Sequence, residues 1–267
     1  MEWLDEIDLN TSGPPVSMGV RKLGDQPWLF EDEEAQEQLA LKAALTRDPL
    51  KEVFLSHPDT DEASNNVISL IRKEGIKLAP SNDYHPLERA GLSIQEDLCL
   101  LHRTKGFWRL EAASLCFPSR WELGEKIGKD MSHIHGPVVG YEEHLSKKVN
   151  NFFDRLGNEP VWRRNWFIHP DNSLYQPNRP EGGDPIIQSA DVGEELFVRS
   201  ERQTLRSLGL AGWILFTIRV QRTPLNNLLL KRKEEFQKWI FEAPDSHHDH
   251  KGLVSKQVEE IQKKLVN

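Results

Sequence analysis

Residues 117–140, FPSRWELGEKIGKDMSHIHGPVVG, gather turn residues, a short helical pattern and two histidines in one place. His133 and His135 flank Ile134 directly ahead of Gly136-Pro137. Glycine and proline exclude regular helix there, so His135 is expected on a fixed, irregular segment. An imidazole so placed can coordinate a metal through one ring nitrogen while a backbone carbonyl fixes the other. An ordinary, partly exposed loop histidine is the competing reading. A second concentration of polar groups lies in two long strand patterns, 196–207 (LFVRSERQTLRS) and 212–223 (GWILFTIRVQRT). Alternation puts Glu201, Gln203 and Leu205 on one face and Arg202, Thr204 and Arg206 on the other, with Thr217 and Arg219 pointing the same way as each other. Buried charge survives only when paired or bonded, so such an array means a structural ion network or a pocket for a charged ligand. Surface residues on a half-exposed sheet are the third possibility. A third strand pattern, VWRRNWFIHP from Val161, places Trp162, Arg164 and Trp166 on one face and Arg163, Asn165 and Phe167 on the other. The tail SHHDH (246–250) matches no closed zinc spacing and reads as a solvated linker before a helix, while His144 and His169 have no partner motif.

These residues need elements to hold them. Pro118 and Ser119 read as a stop and a helix cap, with a helix of two to three turns expected from Trp121 towards Lys129. The first thirty residues read as an irregular arm whose Pro27-Trp28-Leu29-Phe30 docks an aromatic anchor on the core. The acidic run from Glu31 opens a helix and should itself be solvated, since acids favour the positive end of the helix dipole. Further helices are expected near 49–56 and over 61–74, the latter stopped by Gly75. Residues 98–101 and 107–117 read as strands joined through Lys105-Gly106. An amphipathic helix is expected over 141–156, and 176–193 as a long mobile loop, a lid or a partner-facing flap. The pair 196–207 and 212–223 forms an antiparallel hairpin, and helices resume from Pro224 and from about Leu253. The expectation is one domain over 1–267, with arm and helices in 1–90, a sheet core in 91–225 and terminal helices in 226–267.

Composition narrows the chemistry. The 267 residues are 37% hydrophobic with a mean hydropathy of −0.59, and no apolar run approaches the length of a membrane span. An acidic start, MEWLDEIDLN, does not resemble a secretory signal, so a cytoplasmic protein is expected. The net charge of −8 argues against nucleic acid. Two cysteines, Cys99 and Cys116, suit reduced buried thiols and cannot hold a four-thiolate centre. There is no GxGxxG, no GxxxxGK[ST] and no GxSxG, which speaks against dinucleotide, P-loop nucleotide and acyl-transfer chemistry.

Taken in order, FPSRWELGEKIG, IHGPV, WRRNW, SERQTLRSL and GWILFTIRV ending in TPL, from about Met18 to Leu225, the chain resembles the haem-dependent oxidative N-demethylase family, catalytic alpha subunit. The resemblance implies an α+β, PAS-like antiparallel sheet flanked by N-terminal and C-terminal helices. It implies haem b on an axial histidine, which falls on His135, with His133 as the fallback, and Val139 where the family usually has proline. The implied reaction oxidises the N-methyl group of a small secondary amine such as dimethylamine, using dioxygen and releasing formaldehyde. Electrons would come from partner subunits carrying flavin and an iron–sulfur centre. Carried over by motif, Arg164, Glu201, Arg202, Gln203 and Arg219 are candidate catalytic residues, and Asn165, Trp166 and Thr204 join His135 as candidate cofactor contacts. An arginine could meet bound oxygen or a propionate, and Glu201 could hold the cationic amine. Two rivals share the fold: a haem-binding oxygen or redox sensor, and a haem-less interaction protein.

Overall fold

A computed structural model describes residues 1–14, 18–80, 83–134 and 146–266. Its strands are β1 (Arg21–Lys22), β2 (Phe54–Ser56), β3 (Asp97–Thr104), β4 (Phe107–Ser114), β5 (Val161–His169), β6 (Phe197–Ser207) and β7 (Trp213–Pro224). They pair antiparallel throughout, in the spatial order β1-β5-β6-β7-β3-β4-β2. Around them lie α1 (Ala35–Arg47), α2 (Asp61–Lys73), α3 (Pro86–Gly91), α4 (Leu123–Lys126), α5 (Met131–Ile134), α6 (Ser146–Asp154), α7 (Val192–Glu195), α8 (Leu225–Glu242), α9 (Asp245–His250) and α10 (Ser255–Val266). This is the helix-flanked α+β sheet that the resemblance implies.

Period-two patterning builds the centre. The β3–β4 hairpin turns at Lys105 (φ 52°) and Gly106 (φ 86°), the pair of positive φ values that matches strand twist in a two-residue loop. β6 and β7 pair over their whole length, from Phe197↔Pro224 to Ser207↔Ile214. Because directly opposed residues share a face, Trp162, Arg164 and Trp166 line up with Thr204, Arg202 and Ser200, and those with Thr217, Arg219 and Gln221. This first face buries two apolar clusters, one with Trp28 and helices α2 and α3, the other with Trp3, α8 and α10. The second face carries Arg163, Asn165 and Phe167, then Arg199, Glu201 and Gln203, then Ile218 and Val220. Its cluster includes Leu101, Leu110, Leu123, Met131 and Phe153, so α4, α5 and α6 lie on that side.

Several local expectations change. Residues 54–56 form a strand, not helix, because β4 needs a partner on its outer edge and takes Phe54–Ser56 against Ser114–Ala112. The helix expected over 121–129 shrinks to the single turn α4. Gly128 (φ 73°) turns the chain back, its N–H reaching Leu110 O at 2.7 Å while Leu110 N reaches Lys129 O at 3.1 Å, next to the register shift between β3 and β4. The acids after Glu31 are only partly solvated: Asp32 pairs with Arg219 and Glu34 accepts from Gln38. The tail histidines do not form a solvated linker, since α9 buries His247 and His248. The irregular stretch 176–193 is held down by Arg120–Asp184, by Gln257 on Ile187 and by Glu260 on Ser189 N. Of the helix expected over 141–156, α6 is seen, and 141–145 lie outside the described residues.

Candidate functional site

The second face of β5 and β6 holds a buried polar cluster around Glu201 and Arg199. Glu201 is 6% exposed and accepts from Ser119 Oγ at 2.5 Å and from Gln203 Nε2 at 2.8 Å. Arg199, fully enclosed, donates from Nε to Ser119 Oγ (2.8 Å) and from its terminal nitrogens to the carbonyls of Phe117 and Pro118 and of Ser173 and Leu174. One guanidinium therefore ties residues 117–119 and 173–174 to the sheet, so Ser119 is aimed at Glu201. Burial, partly offset by Glu201, draws the Arg199 pKa down to about 10, leaving it a cation at neutral pH. A further brace is Lys42 of α1, fully buried, whose Nζ lies 3.0 Å from Asp97 Oδ1, while Asp97 accepts from Cys116 N and Phe117 N. Ser119 is thus not a helix cap: the N-cap of α4 is Glu122, with no side-chain cap bond, and the Ser119 hydroxyl is spent on the sheet.

Arg163 and Asn165 sit beside this cluster, opposite Gln203 and Glu201. Arg163 Nε is buried with no hydrogen-bond partner, and burial lowers that guanidinium's pKa against the pull of Glu201. Asn165 Oδ1 accepts from Lys251 Nζ at 3.2 Å. At the end of β5, His169 is buried with Nδ1 unpartnered, and burial with the nearby Arg120 and Arg199 lowers its pKa to about 4, so the ring is neutral.

The remaining candidates lie on the first face and hold the N-terminal arm. Arg164 bonds Glu6, Ser200 and Gln221. Arg202 donates to the carbonyls of Pro27 and Trp28, and Trp28 Nε1 donates to Thr204 Oγ1, itself bonded to Thr217. Trp166 Nε1 donates to Asp8 O, and Arg219 bonds Asp32, Gln38 and Val220 O. The sheet therefore separates Glu201, Gln203 and Asn165 on one face from Arg164, Trp166, Arg202, Thr204 and Arg219 on the other, and only at the outer edge of β5 do Asn165, Arg164 and Trp166 border one cavity. Ser119, taken as a cap, Arg163 and Arg199 are not among the site residues expected from the sequence, although Arg199 shares the parity of Glu201 and Gln203.

His135 lies outside the described residues. The residue before it, Ile134, packs on the second-face apolar cluster, as do Val149 and Phe152 of α6 after it. The fallback, His133, is 72% exposed at its side chain, with Nδ1 2.8 Å from Asp130 Oδ2. Its ring faces water.

Among the described residues no three metal-ligating side chains form a cluster, and no helix is long and apolar enough to cross a membrane. No curated protein matches the chain. Residues 52–259 match the family described as haem-dependent oxidative N-demethylase, alpha subunit-like, a span that starts later and ends later than the motifs alone suggest. With most of its length, the Glu201 face included, inside that match, the chain belongs to the haem-dependent oxidative N-demethylase, alpha subunit-like family.

Proposed function

We propose that the chain is the haem-carrying subunit of an oxidative N-demethylase acting on a small secondary amine of the dimethylamine kind, with His135 as the residue that would hold the haem iron. The observation that carries this is the buried Glu201–Ser119–Gln203 cluster on the sheet face flanked by α5 and α6, the two helices either side of His135 in sequence. The residues suit the group. Leu101, Leu205, Ile218 and Val220 offer a porphyrin an apolar wall, and Arg163 Nε, buried without a partner on the same face, offers a propionate the donor it needs. Bound haem b supplies the dioxygen-dependent oxidation of the methyl carbon, with electrons from partner subunits carrying flavin and iron–sulfur.

The chain's own residues do the rest. Glu201 pairs with the ammonium form of the amine, since a carboxylate that accepts from two donors keeps further acceptor positions free. Ser119 and Gln203 fix the carboxylate's orientation, and Arg199 fixes Ser119. Asn165, opposite Glu201 on β5, is a further polar group of the same face. Arg164, Trp166, Arg202, Thr204 and Arg219 act by bracing the sheet from its other face. The test supplies haem-loaded protein with dioxygen, an artificial reductant and a panel of methylated amines, and assays formaldehyde. Release from secondary amines is expected, and lost in Glu201→Gln; silence across the panel with haem bound would refute the reading.

A further inference from the structure

At the outer edge of β5, beyond the short β1 pairing, lies a cavity of about 220 Å³ between the N-terminal arm and α9, bordered by Asp8, Arg163, Asn165, Trp166, His250 and Lys251. Lys251 follows α9 and is anchored through its backbone, its carbonyl accepting from Ile168 N at 2.8 Å. Its amine reaches Asn165 Oδ1 and stands 5.0 Å from the Trp166 ring centre. Among the described residues no carboxylate comes within ion-pair distance of it. The Glu201 cluster makes no use of it.

We propose that Lys251 is a nucleophilic amine that captures a small aldehyde as an imine in this cavity. A lysine becomes reactive when it is desolvated or stands beside another cation. Both conditions hold here. Burial first, then Arg163, lower its pKa to about 7, with Asp8 and Glu201 pulling the other way. His250, on the same cavity wall, is held neutral by burial and by Lys251 and Arg163, with a pKa of about 4. The Nζ lone pair attacks the carbonyl carbon, forming C–N while the C=O pair moves to oxygen, which takes a proton from water. Loss of a proton from nitrogen and of water from carbon then leaves C=N, with no change of oxidation state. The cavity limits the electrophile to a small one. The choice of an aldehyde rests on the proposed function, whose product is formaldehyde.

Purified full-length protein, without added haem or amine, is treated briefly with acetaldehyde and sodium cyanoborohydride across a pH series and mapped by peptide mass spectrometry. An ordinary lysine at pH 7 is neutral in only about one molecule in a few thousand. Lys251 is therefore expected to be ethylated at least about tenfold faster than the exposed lysines at pH 7, allowing for slower entry into the cavity. Its rate should level off above about pH 8 while theirs climb towards pH 10. Labelling no faster than that of exposed lysines, or rising with them across the series, would overturn the proposal. The outcome is independent of turnover: labelling at Lys251 without formaldehyde release would sustain this inference and end the demethylase reading, and the converse result would do the opposite.

Discussion

Replacing Asp32 by asparagine should destabilise the protein without touching the Glu201 cluster. Arg219 is fully buried on the first face, with Asp32 as its one ion-pair partner among the described residues, Gln38 and Val220 O as further acceptors and Phe30 stacked at 5.6 Å. Asparagine keeps the shape and removes the charge, leaving a buried guanidinium without its direct ion-pair partner and with only the more distant Glu96 as an acidic neighbour. Breaking a buried pair from one side costs about 3–5 kcal/mol. Asp32 keeps 21% side-chain exposure, so water screens part of the interaction and about 3 kcal/mol is the better figure. For a chain of this size that lowers Tm by about 6–12 °C. Thermal unfolding of Asp32→Asn, Arg219→Met and the double variant measures it. The double variant should lose less than the sum of the singles by about 1–3 kcal/mol, because the second change removes the charge that the first stranded. A loss under about 1 kcal/mol with additive behaviour would refute the buried-pair argument. Folded Arg219→Met protein that binds haem but cannot turn over would return Arg219 to the substrate site.

The same geometry makes three further predictions. Glu201→Gln should keep the haem spectrum while lowering kcat/KM for the amine at least about tenfold, since the anion facing the ammonium is gone; unchanged kinetics would remove Glu201 from the site. His169 has a folded pKa near 4 against 6.5 when free, so the unfolded chain binds more protons between those values and stability falls as pH drops through that window. The fall amounts to about 3 kcal/mol, and chemical denaturation from pH 7 to 4 should show His169→Gln with a shallower slope; parallel slopes would contradict it. Arg120→Ala removes the bidentate pair to Asp184, at 2.5 and 2.6 Å, and should raise amide exchange across 176–193 at a global cost near 1 kcal/mol; unchanged exchange would mean that the α10 contacts alone hold the stretch.

What the sequence made legible was what depends on short periods. Alternation alone put Glu201 with Gln203 and set Arg202 with Thr204 on the opposite face, and Lys105-Gly106 announced its hairpin. Features decided by distant partners were not legible. Ser119 carries every local mark of a helix cap, yet Arg199 and Glu201, some 80 residues on, claim its hydroxyl. Residues 54–56 become a strand because β4 has an edge to fill, and α4 stops after one turn because the irregular edge of β4 takes the following residues. The tail histidines look solvated until Trp239 is found 4.8 Å from the ring of His248. The five arginine, tryptophan and threonine candidates on the first face share motif order with Glu201, but their side chains serve the arm, which lies far from them in sequence.

Absorption spectroscopy of haem titrated into the wild-type chain and into His135→Ala tests the centre of this account most directly. A saturating Soret band with a histidine-ligated spectrum is expected in the wild type, lost or shifted in His135→Ala and retained in His133→Ala. Identical haem binding by wild type and His135→Ala would contradict it.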